Sequence, residues 1–310
     1  MENNYTISAV IVTFNRKDLL KRCLEAINGQ TYKAAHVYIM DNASTDGTMD
    51  SVKEWGFYQT TLGDTQWHYI LNDKNEGGAG GFYKGMKTAF EETKPDALWV
   101  MDDDGQPDKD CLKNLAEYLA VKDYIAPIVL SDEDHIRCSF APNYETCEEF
   151  AKIKGAHDGI IDNWSSPFNG ILYSARLIKT IGYPKKELFI WGDEINYHYR
   201  CLKAGFMPIS VLAAVHYHPL NRQIYIEFRN STVIDIQQDW KLYCYLRNSF
   251  YNRTRLMPRK LKGVVGCMLT CRLYYKYFKE KYNTNKLPVI IDAYFAGILG
   301  WFGGLRKYMK

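Results

Sequence analysis

The chain has 310 residues, room for one large domain or a domain with an appendage, and its 46% hydrophobic and 15% aromatic content exclude a disordered chain. The net charge of +3 hides an asymmetry: residues 251–310 hold 13 Lys/Arg against only Glu280 and Asp292, or +11, which leaves −8 on the first 250 residues. The eight cysteines form no C-x-x-C pair, which excludes a zinc finger or a disulfide framework and points to reduced thiols in a cytoplasmic compartment.

The N-terminal MENNYTISAV has no basic segment followed by an apolar run, and no apolar run reaches the ~20 residues of a spanning helix. The expectation is a cytoplasmic chain, peripheral on the inner face of the cell membrane if it meets one. Residues 9–13 (AVIVT) predict a strand buried on both faces. A helix with Leu19, Leu20, Cys23, Leu24 and Ile27 on one side follows, and Gly29 ends it. Further strands are predicted at 37–40, 69–71, 98–101 and 125–130. Phe82, Met86, Ala89 and Phe90 mark one intervening helix, and Leu112, Leu115 and Leu119 another. This alternation predicts a parallel α/β sheet. Beyond it, 168–173 and 209–215 are strand candidates. Ile195, Tyr199 and Leu202 line one face of a helix that stops at Gly205. A boundary is expected near residue 235, before the aromatic and basic tail.

In parallel sheets ligands bind beyond the carboxyl ends of the strands. The first strand ends in Thr13-Phe-Asn-Arg16, the second in Asp41-Asn42, the third leads to Asn75-Glu-Gly-Gly78, and the fourth ends in Asp102-Asp-Asp104. Four polar strand ends predict one composite site. If the fourth strand continues, Asp102 and Asp104 share a side. Two carboxylates so placed suit a hard divalent cation, Mn2+ or Mg2+, with diphosphate oxygens as co-ligands.

The loop Asn75-Glu-Gly-Gly-Ala-Gly-Gly-Phe82 opens a helix, so its backbone N–H groups can approach an anion. Tyr83 replaces the third glycine of a dinucleotide fingerprint and no Gly-Lys-Ser/Thr follows, which disfavours dehydrogenases and P-loop kinases. In Asp41-Asn-Ala-Ser-Thr-Asp-Gly-Thr48, capping accounts for Ser44, Thr45 and Asp46 and leaves Asp41 to accept from a base or ribose. Asp193 and Glu194 begin a helix, where the dipole favours them and where either is placed to act as a general base. His216 and His218 share a face after a strand, and one of them is placed to complete a metal's coordination.

Together, Val12-Thr-Phe-Asn-Arg16, Asp41-Asn-Ala-Ser-Thr-Asp-Gly-Thr48, Asn75-Glu-Gly-Gly78, Asp102–Asp104 and Trp191-Gly-Asp-Glu194 with Arg200 resemble the family 2 glycosyltransferases, over about residues 6–220. The resemblance implies a GT-A fold, a Rossmann-like nucleotide-diphospho-sugar transferase domain, over 1–235. Its nucleotide-sugar half would span about 1–130 and its acceptor half about 131–235, with a helical, basic-aromatic tail at 236–310. Within the family the chain looks most like the bacterial galactofuranosyltransferase and rhamnosyltransferase branch. The resemblance implies donor binding by Thr13, Phe14, Asn15, Arg16, Asp41, Asn75, Gly77, Gly78 and Asp103, and metal binding by Asp102, Asp104 and His218. It implies a base at Glu194 or Asp193; Asn196 departs from the family's second acid. Trp164, Asn169 and Trp191 are acceptor platform candidates. The implied reaction inverts the sugar donated by UDP-galactofuranose or dTDP-rhamnose, with a saccharide or lipid-linked saccharide as acceptor.

The tail interleaves Arg253, Arg255, Arg259, Lys260, Lys262 and Lys279 with aromatics, which fits an anionic membrane surface or a solvated packing face. Nucleic acid is not an expected partner, since no RNP-like or helix-turn-helix signature is present and the body is acidic. A nucleotidyltransferase would want a basic loop after the first strand, and a non-catalytic nucleotide-sugar binder would have no use for Asp102, Asp104 and Glu194 together.

Overall fold

The computed structural model describes residues 4–140, 146–220, 224–256 and 260–309. The chain forms two compact units, Met1–Pro184 with Cys201–Asn221, and Lys185–Arg200 with Arg222–Lys310. Residues 185–200, which carry Trp191-Gly-Asp-Glu194, thus group with the C-terminal helices and not with the sheet.

The first unit is built on one sheet. In chain order it holds β1 (Ile7–Thr13), α1 (Lys17–Asn28), β2 (His36–Asp41), α2 (Thr48–Glu54), β3 (Thr60–Leu62), β4 (Thr65–Leu71), α3 (Gly77–Thr93), β5 (Ala97–Asp102) and β6 (Gln106–Pro107). Then come α4 (Cys111–Ala116), β7 (Tyr124–Ser131), α5 (Cys147–Ile153), β8 (Ile160–Asp162), β9 (Asn169–Ser174) and α6 (Ala175–Ile181). α7 (Asp193–Lys203) leads into β10 (Ile209–His218). The strand order is β3-β4-β2-β1-β5-β9-β7-β10-β6, with β8 also on β10.

All residues of β1 and β7 are buried, as their continuous apolar runs require of strands covered on both faces. α1 buries Leu20, Cys23, Leu24 and Ile27. α3 approaches the sheet closely at Gly85, where a Cβ would stand 2.6 Å from both Val10 Cγ1 and Met40 Cγ.

The expected all-parallel sheet is mixed. β4, β2, β1 and β5 are parallel, but β9 runs antiparallel between β5 and β7. Every residue of β9 is buried, and a doubly covered strand shows the same apolar run in either direction. The helix of Leu112 and Leu115 ends at Ala116, before Leu119. Ile195 of α7 is exposed, whereas Tyr197 and Cys201 are buried, so the apolar face expected there is displaced. β3, β6 and β8 are too short to show a period. None of the eight cysteines is in a disulfide.

The second unit contains the hairpin β11 (Tyr225–Phe228) and β12 (Ser231–Ile234), with Arg229 and Asn230 both at positive φ in its two-residue turn. α8 (Asp239–Arg255), α9 (Lys260–Tyr282) and α10 (Leu287–Leu299) enclose a core of Leu242, Leu246, Phe250, Tyr277, Phe278 and Ile290.

In the same unit α8 grips the loop that enters α7. Phe189, Trp191 and Gly192 have φ of 69°, 61° and 86°, conformations costly for the two aromatics. The Asn248 carboxamide donates to the carbonyls of Leu188 (2.9 Å), Ile190 (3.0 Å) and Trp191 (2.6 Å), and Asn252 Nδ2 donates to that of Gly192 (2.8 Å). Arg247 Nη2 donates to Leu188 O at 2.7 Å while its Nε donates to Asn248 Oδ1 at 2.9 Å. A strained loop persists because buried donors satisfy its carbonyls.

Two stability changes follow. Gly85→Ala forces α3 off the sheet and is expected to cost about 1–3 kcal/mol in denaturant unfolding; an unchanged midpoint would mean that α3 shifts freely. Asn248→Ala leaves buried carbonyls without donors and is expected to cost about 2–4 kcal/mol. Faster amide exchange should then centre on 188–194, and exchange there equal to the parent's would contradict the grip.

Candidate functional site

Because β4, β2, β1 and β5 are neighbours and parallel, their carboxyl ends share one edge of the sheet. Side chains tie those ends together. Asn42 Nδ2 donates to Gly77 O at 2.7 Å, and Asn72 Nδ2 donates to Asn42 Oδ1 at 2.9 Å. The Asn15 N–H donates to Ser44 Oγ at 2.9 Å, and Asn15 Oδ1 accepts from the Thr45 N–H at 2.7 Å; Asn15 itself sits at φ 53°. Asn75 Oδ1 accepts from the Gly77 N–H at 2.8 Å as α3 begins. A Cβ at Gly78 would meet nothing within 4 Å, so the backbone there lies open to an approaching group.

Asp41 is buried and both its oxygens are engaged, Oδ1 by the Ser44 N–H at 2.7 Å and Oδ2 by the Tyr69 hydroxyl. Each retains a second lone pair. Phe14 is exposed beside this edge.

Burial alternates through the three aspartates, with Asp103 inside and Asp102 and Asp104 less covered. β5 ends at Asp102 and the chain turns, with the Gly105 N–H reaching back to Asp102 O at 3.4 Å. Asp103 therefore points into the protein, where it accepts from Thr13 Oγ1 at 2.7 Å and pairs with Arg16 Nη1 at 3.3 Å. The same Arg16 nitrogen lies 2.9 Å from Asp104. Burial pushes Asp102 well above the ordinary carboxylate range, with Asp104 and Asp103 adding to it, and burial pushes Asp103 up to about 6 against the pull of Arg16. Asp104 moves the other way. Burial would raise it, but His218 and Arg16 outweigh burial and hold it low. Burial also opposes the Arg16 charge, yet Asp103, Asp104 and Asp102 leave it more basic than usual.

The two histidines separate cleanly. His216 is fully buried, its ring nitrogens without hydrogen bonds, and burial lowers its pKa to about 3. Its ring fits between two glycines: a Cβ at Gly105 would fall 2.1 Å from Nε2, and one at Gly170 2.8 Å from Nδ1. His218 stands beside Asp104, with Nε2 3.2 Å from Oδ1. The His218 Nδ1 lies 2.6 Å from Pro219 O, a carbonyl that only accepts, so Nδ1 carries a proton. That leaves Nε2 and a carboxylate oxygen face to face. Two lone pairs at this distance repel unless a proton or a cation lies between them.

Asp104 Oδ1 is buried without a properly aligned hydrogen bond, so oxygen and imidazole donors here fit a hard divalent ion. Among the described residues no three acid, histidine or cysteine side chains converge into a complete cage. Oxygens of a bound ligand would supply the remaining positions.

Of the acceptor candidates, Trp164 packs against Phe150 and under Lys154, which is a packing role. Asn169 is buried at the irregularity where β9 meets Met101, and its Oδ1 makes no hydrogen bond. In the second unit Trp191 lies in the loop held by α8, Asp193 is buried, and Glu194 Oε2 accepts from the Gly192 N–H at 2.9 Å. Sequence reasoning missed Tyr69, Asn248 and Asn252; only the i, i+4 spacing of the last two on a helix hints at a shared task.

The family model for glycosyl transferase family 2 matches residues 8–168. The galactofuranosyltransferase GlfT1 of Mycobacterium tuberculosis is 31% identical over 224 residues, which are 69% of this chain and 70% of that protein. A crystal structure of S. aureus TarS 1-349 in complex with UDP-GlcNAc matches with a TM-score of 0.60 at 13% identity, over 94% of this chain and 81% of that one. A crystal structure of GalNAc-T7 with UDP, GalNAc and Mn2+ gives 0.57 at 15% identity, over 98% of this chain but 59% of that longer one. At such low identity the solved structures show the fold, which is GT-A. The polar carboxyl edge of the sheet, the aspartate turn after β5 and the family model over 8–168 agree, and the chain belongs to the family 2 glycosyltransferases.

Proposed function

We propose that this glycosyltransferase moves galactofuranose from UDP-galactofuranose to a hydroxyl of a growing, lipid-linked cell-surface polysaccharide, with inversion at the anomeric carbon. The observation that carries the choice of sugar is the 31% identity to the mycobacterial galactofuranosyltransferase over about 70% of both chains. Thr13, Phe14, Asn15, Arg16 and Asp41 would hold the nucleotide, with the 75–78 loop beside its phosphates. Asp104 and His218 would hold Mn2+ or Mg2+, which when bound acts as a Lewis acid on the diphosphate, with diphosphate oxygens completing its coordination. Asp102, the third ligand the resemblance implies, forms no three-residue metal group with them among the described residues. Thr13 and Arg16 keep Asp103 turned inward and so set the direction of Asp104.

Glu194 or Asp193 takes the proton from the acceptor hydroxyl. The resulting oxygen attacks the anomeric carbon opposite the diphosphate; the bond from that carbon to the diphosphate oxygen breaks, and its electron pair leaves with the nucleotide. Spacing favours Glu194, which stands six residues before Arg200, the place where the resemblance implies the base; the family's usual residue there is Asp, which keeps Asp193 as the alternative.

Calorimetric titration with UDP and with dTDP, each with Mn2+ and with EDTA, tests the donor. UDP is expected to bind only with Mn2+, and Asp104→Asn or His218→Ala to weaken that binding at least about tenfold; preference for dTDP would overturn the galactofuranosyl reading. Glu194→Gln should lower kcat about 10²–10⁴-fold with UDP affinity unchanged. If Asp193→Asn alone does so, Asp193 is the base.

A further inference from the structure

Within the C-terminal unit, glycines decide which ends of the helices meet. A Cβ on Gly263 of α9 would stand 3.1 Å from Arg253 O, and one on Gly266 3.2 Å from Arg253 Nη1. Gly297 of α10 is as close to α8, where a Cβ would lie 2.7 Å from Arg247 O and Phe250 Cβ. Arg255 then donates to Gly297 O at 3.2 Å and Ile298 O at 2.9 Å. The first half of α9 and the last half of α10 therefore both lie along the C-terminal half of α8.

The residues those two halves turn outward are apolar. Val265, Met268 and Leu269 on α9, and Phe295, Leu299 and Trp301 at the end of α10, are each between 50% and 72% exposed. Ile291, Phe295 and Leu299 follow one another by single turns, so they form one stripe. A cavity of about 480 Å3 opens among Tyr243, Phe295, Leu299, Trp301 and Lys307. Large apolar side chains left in water at one end of the unit mark a contact surface.

The rest of the tail narrows the choice of occupant. Tyr274, Tyr277 and Phe278 are buried in the core of the unit, so the aromatic segment near 273–279 is mostly packing. Lys281, Lys286 and Lys307 pair with Asp235, Asp239 and Asp292. Of the basic run at 259–262, Arg259 lies outside the described residues. Arg272, three residues beyond Leu269, and Arg306, in the turn after Trp301, are exposed beside the apolar patch. Residues 251–310 carry +11, which opposes pairing of this patch with the same patch of a second copy and is attracted to an anionic surface. A tryptophan at the rim suits the headgroup level of a bilayer. No described helix is long and apolar enough to cross a membrane, so the contact is peripheral.

We propose that this end of the C-terminal unit docks on an anionic lipid bilayer, with Val265, Met268, Leu269, Phe295, Leu299 and Trp301 entering the headgroup boundary and Arg272 and Arg306 facing lipid phosphates. The surface stands apart from the transfer reaction and does not depend on which sugar is moved.

Co-sedimentation of the full chain with vesicles of phosphatidylcholine, with and without phosphatidylglycerol, tests it. Binding is expected to the phosphatidylglycerol vesicles and to fall in high salt. The triple variant Phe295→Gln, Leu299→Gln, Trp301→Gln should lose about tenfold or more of the partitioning while keeping its melting temperature. Should that variant fold poorly, Met268→Gln with Leu269→Gln reads the same surface from α9. A parent chain that stays in solution with both vesicles, or variants that bind like the parent, would overturn the proposal. So would a parent dimer in sedimentation velocity that the triple variant abolishes, which would assign the patch to a second copy.

Discussion

Three carboxylates at one strand end must be kept from driving each other apart. Two unit charges 4 Å apart interact by about 4 kcal/mol at the effective dielectric near a protein surface, so the turn after β5 is untenable without positive charge nearby. Arg16, from the connection between β1 and α1, reaches two of the three, and Thr13 binds one of those from beneath. His218 arrives from the far end of the chain's sheet on β10. The aspartate turn therefore fixes where the ends of β1 and β10 must lie, and those strands carry much of the remaining site.

β10 contributes twice, by alternation. His216 and His218 project to the same side two residues apart. The first fills the space between Gly105 and Gly170 and sets the path of the aspartate turn; the second meets the turn's last carboxylate. A fully buried imidazole whose nitrogens make no hydrogen bonds is an expensive wedge. Its shape explains why glycine follows Asp104, since a side chain there would collide with the ring.

The C-terminal unit solves a different problem. The loop that delivers Asp193 and Glu194 passes through backbone conformations that aromatic residues avoid, and it is held by a row of buried donors on α8. For the proton transfer proposed for one of these acids, rigid presentation would matter more than proximity alone, because geometry precedes pKa in such a step.

The strands β1, β2, β4, β5 and β7 and the helices α1 and α3 were legible in sequence, because doubly buried strands are continuous apolar runs and helices facing a sheet repeat near every third or fourth residue. The polar ends of four strands were legible for the same reason: polarity where a buried run stops stands out locally. The direction of β9, the burial of Asp103 against Thr13 and Arg16, and the membership of residues 185–200 in the second unit were not, since each depends on partners distant in the chain. Composition by itself determined that the tail is basic and aromatic. Only the tertiary structure decided that most of its aromatics close a core while a few apolar side chains remain outside, because burial is settled by which helix faces meet and not by what a segment contains.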